Sequence, residues 1–422
     1  MQSTIMQASR ARIKEDIEAV ACFGELPQGG VTRLALSKED MDSRKYLISK
    51  MEKAGLTVKI DAVGNTIGRR EGKKDLTPVL IGSHLDTVPE GGNYDGIAGV
   101  ITALEAIRML NDEGIETLRP IEVINFTAEE SSRFLTATVG SKCMRGSLTI
   151  EKIKSLKDKK GISFYDALST AGFKPDKLGD VIKYPGDYHA FIELHIEQGP
   201  VLEAENKPIG IVTSIAAPTR MRINIEGKAD HSGNTPMSMR KDALAAASEI
   251  ILALERIASD EAGRHTVGTV GDVQVTPGAM NVIPGKATLL VDIRDIDTNE
   301  KSKAYRLFLD SIKEVAIRRN LLIETELLID DIPVQLSSKI INAIQEATES
   351  LGYPYKIMHS GAGHDAMNLV PITDVGMIFV PSVDGVSHNT KEFTEMEDIC
   401  KGADVLFASL YKLAMEDECD DK

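Results

Sequence analysis

With 422 residues, 42% of them hydrophobic and 27% charged, the chain has the make-up of an ordinary globular protein but exceeds what one core usually supports, so two domains are expected. A net charge of −15 and the acidic stretch "MEDECDDK" exclude nucleic acid and anionic membranes as main partners, since both reward clustered Lys and Arg. The opening "MQSTIMQASRARIKEDIEAV" has no apolar stretch of signal-peptide type, no run approaches a membrane span, and Cys22, Cys143, Cys400 and Cys419 form no C-x-x-C pair; a cytoplasmic protein with reduced thiols is expected.

Two helices come first, over "SRARIKEDIEAVACFG" and "KEDMDSRKYLISKMEKAG", then short strands around "LTVKIDAVGNTIGRR". Apolar strands follow at "TPVLIGSHLD", "PIEVINFTAEE" and "YHAFIELHIEQG", the first leading into the helix "IAGVITALEAIRMLNDEG" with its glycine stop. From about 214 to 329 the pattern changes. "TRMRINIEGKA" alternates, with Met221, Ile223 and Ile225 on one side, and the order strand, helix, strand, strand, helix, strand is that of the ferredoxin-like split unit. A last apolar strand, "VGMIFVPSVDG", precedes the closing helix "MEDICKGADVLFASLYKLAME". The expected fold is therefore α/β: a catalytic domain over 1–213 and 330–422, with a mainly parallel sheet and helices on both faces, interrupted by a ferredoxin-like α+β domain over 214–329.

Polar clusters sit at the ends of these strands. His84 and Asp86 follow "VLIGS", Glu129 and Glu130 follow "IEVINFTA", Glu193, His195 and Glu197 follow "YHAFI", and His388 lies beyond "GMIFVPSVDGVS". Open α/β sheets bind ligands at the carboxyl ends of their strands. Each piece has a plainer reading: a hydrogen-bonded structural His, an Asp-Gly turn at Asp95-Gly96, an acidic pair capping a helix. Convergence shifts the balance, because carboxylates gathered at one edge repel unless cations offset them. Two divalent ions (zinc, manganese, cobalt or nickel) would take His84 and His195 on one side, Glu130 and His388 on the other, and Asp95 between. Asp86 would orient His84, and Glu129 would be the spare carboxylate that acts as general base.

"GSHLDTV…GGNYDG", "TAEESSRF", "ELHIEQGPVLE", "ADHSGNTPM" and "SHNTKEFT", in this order over nearly the whole chain, resemble the amidase/carbamoylase branch of the M20 metallopeptidase-like hydrolases. That branch includes N-carbamoyl-L-amino-acid hydrolases, allantoate amidohydrolases and β-ureidopropionases of the yeast type. The resemblance implies the same metal set, with Glu129 as acid/base. It also implies that His231 stabilises the oxyanion and that Gln198, Asn281 and Arg294 bind substrate, with Arg220 as a further contact. It implies a small ureido or amide substrate bearing a carboxylate, a homodimer formed through the inserted domain, and that domain as a lid. For Arg294 an internal salt bridge with Asp292 or Asp295 is the competing role. The expected reaction is hydrolysis of the carbamoyl C–N bond of N-carbamoyl-L-amino acids to amino acid, carbon dioxide and ammonia, with allantoate as the alternative substrate. An M20 aminoacylase or dipeptidase is the nearer rival, and a non-catalytic metal-binding scaffold the more distant one.

Overall fold

Near-continuous apolar runs belong where both faces of a strand are covered, and the three strongest runs form the middle of the larger sheet. The protein, a computed structural model that describes residues 7–417, has in this sheet β1 (Thr57–Ile60), β2 (Thr66–Arg70), β3 (Val79–His84), β4 (Ile121–Phe126), β5 (Ala190–Ile196) and β6 (Ile209–Ile215). After a second unit built on β7 to β12, the sheet is completed by β13 (Val334–Gln335), β14 (Tyr355–Ser360) and β15 (Asp374–Val380). The order is β1-β2-β4-β3-β5-β15-β6-β13, with β14 also on β6. Every residue of β3, β4 and β5 is buried.

The sheet is mixed rather than mainly parallel. β4, β3, β5 and β15 run parallel, but β1, β2 and β6 are antiparallel to their neighbours. The reason is connection length. The turn between β1 and β2, closed by the Asp61 carboxylate on the amides of Val63 and Asn65, is too short for anything but a hairpin. "IGIVTSI", which carries no clear strand alternation, became the antiparallel strand on β15.

On one face the helix Ile97–Asp112 lies against β3 and β5, flanked by Met396–Ala414 and Arg10–Ala21. Ile101, Leu104, Leu406 and Leu410 meet Ile81, Val123, Ile192 and Leu194 there, all fully buried, at about 1.5–3 kcal/mol for each large side chain. On the other face the short helix Ala366–Leu369 packs on β5 and β15, and Phe126 meets Phe191 edge-on at 5.8 Å.

The chain divides into two compact units, Met1–Thr213 with Leu336–Lys422, and Ser214–Gln335. In the second, β7 (Ala217–Glu226), β9 (Val267–Thr276), β11 (Lys286–Asp295) and β12 (Leu322–Asp330) form an antiparallel sheet ordered β12-β7-β11-β9. Met221, Ile223 and Ile225 face a core shared with Ile250 and Leu254 of the helix Ala243–Arg256 and Phe308 and Ile312 of Thr298–Arg319. A two-stranded ribbon, β8 (Asp230–His231) with β10 (Val282–Ile283), belongs to the same unit. Cys22, Cys143 and Cys400 are free thiols, and Cys419 lies outside the described residues. Among the described residues no helix is long and apolar enough to cross a membrane.

Candidate metal centre

His84 is the last residue of β3, and its Nδ1–H donates to the carbonyl of Asp86 at 2.9 Å, which turns Nε2 inward. His195, near the end of the neighbouring β5, is set the same way: Nδ1–H donates to the Ile196 carbonyl at 2.9 Å. Both Nε2 atoms face one oxygen of Asp95, Oδ1, at 3.6 Å from His84 and 3.1 Å from His195. The other oxygen, Oδ2, is 3.1 Å from His388 Nε2, which is itself 3.2 Å from Glu130 Oε1. One carboxylate thus divides two donor groups, His84–His195 and Glu130–His388, one to each of its oxygens.

The loop that brings Asp95 here needs glycine next to it. Gly96 has φ +71° and ψ −43°, and a Cβ on it would stand 2.5 Å from the His84 ring. Three non-glycine residues at the site also have left-handed backbones: Ala128 before Glu129, Gln198, and His388 itself. Such conformations cost of order 1 kcal/mol each and persist where the surroundings dictate them.

Positive charge is what this centre demands. Burial opposes charging of the imidazoles, yet Asp95 and the neighbouring carboxylates hold His84 and His195 above the usual histidine range. Half-exposed His388, bonded to Asp95 and Glu130, is pushed up to about 11. Burial would raise Asp95, but its bonds to His195, His388 and His84 keep it well below the usual carboxylate range. The donor set therefore fits two divalent cations, with neutral imidazole nitrogens and carboxylate oxygens facing two positions that share one bridge.

Asp86 acts differently on its two sides. Its carbonyl orients His84, while its carboxylate, 3.8 Å from Nδ1, accepts the amides of Glu129 and Glu130 at 3.2 and 3.1 Å. This holds the acidic pair at the site and presents Glu129 Oε2 3.8 Å from His84 Nε2. Burial first, then the nearby carboxylates, push the Glu129 carboxyl well above its ordinary range. Gln198 donates through Nε2 to Asp95 Oδ2 at 2.8 Å and to Ser387 Oγ at 3.3 Å.

His364, in "SGAGHDAM", is buried edge-on against His195 at 4.5 Å and bonded to Ser360. Glu193 accepts Ser83 Oγ and the Ala366 amide, and Glu197 caps the short helix Val201–Ala204. Glu392 is the residue that sequence reasoning passed over. Burial, then Asp95, push it up to about 7, and it bonds the loops of Asp95 and His388; its signal was its place in "SHNTKEFT", four residues beyond His388.

In the second unit His231 lies on the ribbon, exposed, with Nδ1 accepting the amides of Gly233 and Asn234 at 3.0 and 3.2 Å. The ring proton is then on Nε2, which makes it a donor. Asn281 immediately precedes β10 across the ribbon, its carbonyl accepting the Ser232 amide at 3.1 Å. Arg294 pairs with Asp292 through Nε and Nη2 at 2.9 and 3.1 Å, and Arg220 reaches the same carboxylate at 2.8 Å. The internal ion pair weighed for Arg294 is therefore present, and Arg220 shares its carboxylate.

The family model described as Peptidase family M20/M25/M40 matches residues 80–412. The chain is 43% identical over 394 residues, 93% of its length and 95% of the relative's, to an N-carbamoyl-L-amino acid amidohydrolase of Geobacillus stearothermophilus. It is 40% identical to a ureidoglycolate hydrolase of Oryza sativa subsp. japonica, over 96% of this chain and 84% of that one. Among solved structures, an amidase of the hydantoinase/carbamoylase family from Burkholderia multivorans superposes with a TM-score of 0.91 at 40% identity, covering 97% of this chain and 99% of the other.

Proposed function

Because this chain belongs to Peptidase family M20/M25/M40, in its hydantoinase/carbamoylase branch, and is a hydrolase of carbon–nitrogen bonds, we propose that it hydrolyses the ureido C–N bond of N-carbamoyl-L-amino acids to amino acid, carbon dioxide and ammonia. The observation that carries this reading is the division of Asp95 between two donor groups with the buried Glu129 beside them. In it, His84, His195 and Asp95 hold one cation and Asp95, Glu130 and His388 the other. When bound, such ions polarise the ureido carbonyl and lower the pKa of water.

The remaining steps belong to side chains. Glu129 takes a proton from the attacking water as its oxygen bonds to the ureido carbon, and returns that proton to the departing nitrogen as the C–N bond breaks. The carbamate left behind loses carbon dioxide. Held as its Nε2–H tautomer, His231 donates to the carbonyl oxygen as negative charge develops there. Arg294 binds the substrate carboxylate, with Gln198, Asn281 and Arg220 as further contacts. The second unit is read as a ferredoxin-like lid and as the dimer contact.

Ammonia release by the purified, manganese-loaded protein tests the reading on N-carbamoyl-L-amino acids, allantoate, ureidoglycolate and 3-ureidopropionate, while release of free amino acid is followed for N-acetyl amino acids and dipeptides. Turnover of N-carbamoyl-L-amino acids above the rest is expected. Turnover confined to acyl or peptide substrates would replace it with an aminoacylase or peptidase assignment.

A further inference from the structure

Two histidines of the centre, His84 and His195, are carried by fully buried strands and oriented by carbonyls one or two residues further along. His388 is less well supported: it follows the end of β15 by eight residues, in a loop, with φ +53°. Its anchor is Glu392, buried to 5% exposure. Oε1 of Glu392 accepts the amides of Tyr94 and Asp95 at 3.0 Å each; Oε2 accepts the Ser387 hydroxyl at 2.9 Å and the His388 amide at 3.3 Å. The backbones of Asp95 and His388 therefore hang from the two oxygens of a single carboxylate.

The surrounding chain is shaped around this clamp. A Cβ on Gly92 would stand 2.2 Å from Glu392 Oε1 and 2.3 Å from its Cβ, so the Asp95 loop carries no side chain where the carboxylate lies. Tyr94 and Phe393 close the same seam, ring edge to ring face at 5.6 Å.

We propose that Glu392 is a positioning residue that sets the second cation position by fixing His388 against Asp95 Oδ2, while the first position keeps its own strand anchors. This rests on the two-cation reading of the site. Removing a group that orients a metal ligand typically weakens metal binding 10–100-fold. Glu392 holds the backbone of His388, which serves the second position alone, and that of Asp95, which serves both, so the loss should be larger at the second position.

The test is metal content after dialysis and calorimetric titration with manganese for the wild type, Glu392→Gln and Gly92→Ala. The glutamine cannot accept at both ends, and the alanine displaces the carboxylate while leaving its chemistry intact. Two ions are expected in the wild type. Each variant should bind both ions more weakly through the shared Asp95, with the loss at one position at least about tenfold greater than at the other, and turnover should recover at high manganese. Two ions bound as in the wild type, equal weakening of both in a folded variant, or both lost together with the fold in both variants, would overturn the proposal. Fewer than two ions in the wild type would remove the two-cation reading, and this inference with it.

Discussion

Gly96→Ala probes the junction between the bridging carboxylate and the first histidine. Two effects can be separated. The first is conformational: at φ +71° and ψ −43° an L-residue is strained, at about 1–3 kcal/mol. The second is a collision, since the new Cβ would lie 2.5 Å from both Cε1 and Nε2 of His84. Restoring a contact of about 3.5 Å requires the ring or the loop to retreat by about 1 Å. Metal–ligand distances tolerate about 0.2 Å, so His84 would no longer serve the first position. The expectation is a loss of metal affinity and of turnover of at least about 100-fold. Gly114→Ala is the control, because Gly114 also has positive φ (+61°) but nothing within 4 Å of its would-be Cβ. It should lower thermal stability while leaving metal content and turnover intact. The assays are metal analysis after dialysis, thermal melting and ammonia release. A Gly96→Ala protein holding two ions with wild-type turnover would refute the collision argument and the place given to His84.

Glu129→Gln should retain both ions and lose about 10²–10⁴ in turnover, or about 3–5 kcal/mol of transition-state stabilisation; a variant with most of its activity would remove the base assignment. Metal loading of chelator-stripped protein at pH 7.5 should release protons. His84, His195 and His388 are raised above their ordinary range and so hold protons that a cation must displace, and calorimetry in buffers of different ionisation enthalpy should show release of at least about two; loading without proton release would contradict these shifts. Arg44→Met should destabilise the larger unit by about 3–5 kcal/mol in urea unfolding, because it strips a buried partner at 2.9 Å from Asp40, itself fully buried; a change under about 1 kcal/mol would mean that Asp40 is satisfied without it.

Much of this protein is written locally. The apolar runs at β3, β4 and β5, the glycine stop after Ile97–Asp112 and the alternation of Met221, Ile223 and Ile225 are short-range patterns, and they mark elements because burial acts on neighbouring side chains. The gathering of His84, Glu129, Glu130 and His195 near strand ends could be read in the same way. Strand direction could not, because it depends on which partner a strand finds: "IGIVTSI" has no marker that sends it back antiparallel along β15. Nor could the atomic roles, which depend on loops closing on one another. Asp86 gives its carbonyl to the His84 ring and its carboxylate to the amides of Glu129 and Glu130, 43 and 44 residues away. Glu392 reaches Asp95 across 297 residues, and no periodicity connects two loops that far apart. Local patterns determined which elements form and which reactive residues they carry; only the tertiary structure decided which oxygen faces which nitrogen, because that choice is made by packing between segments remote along the chain.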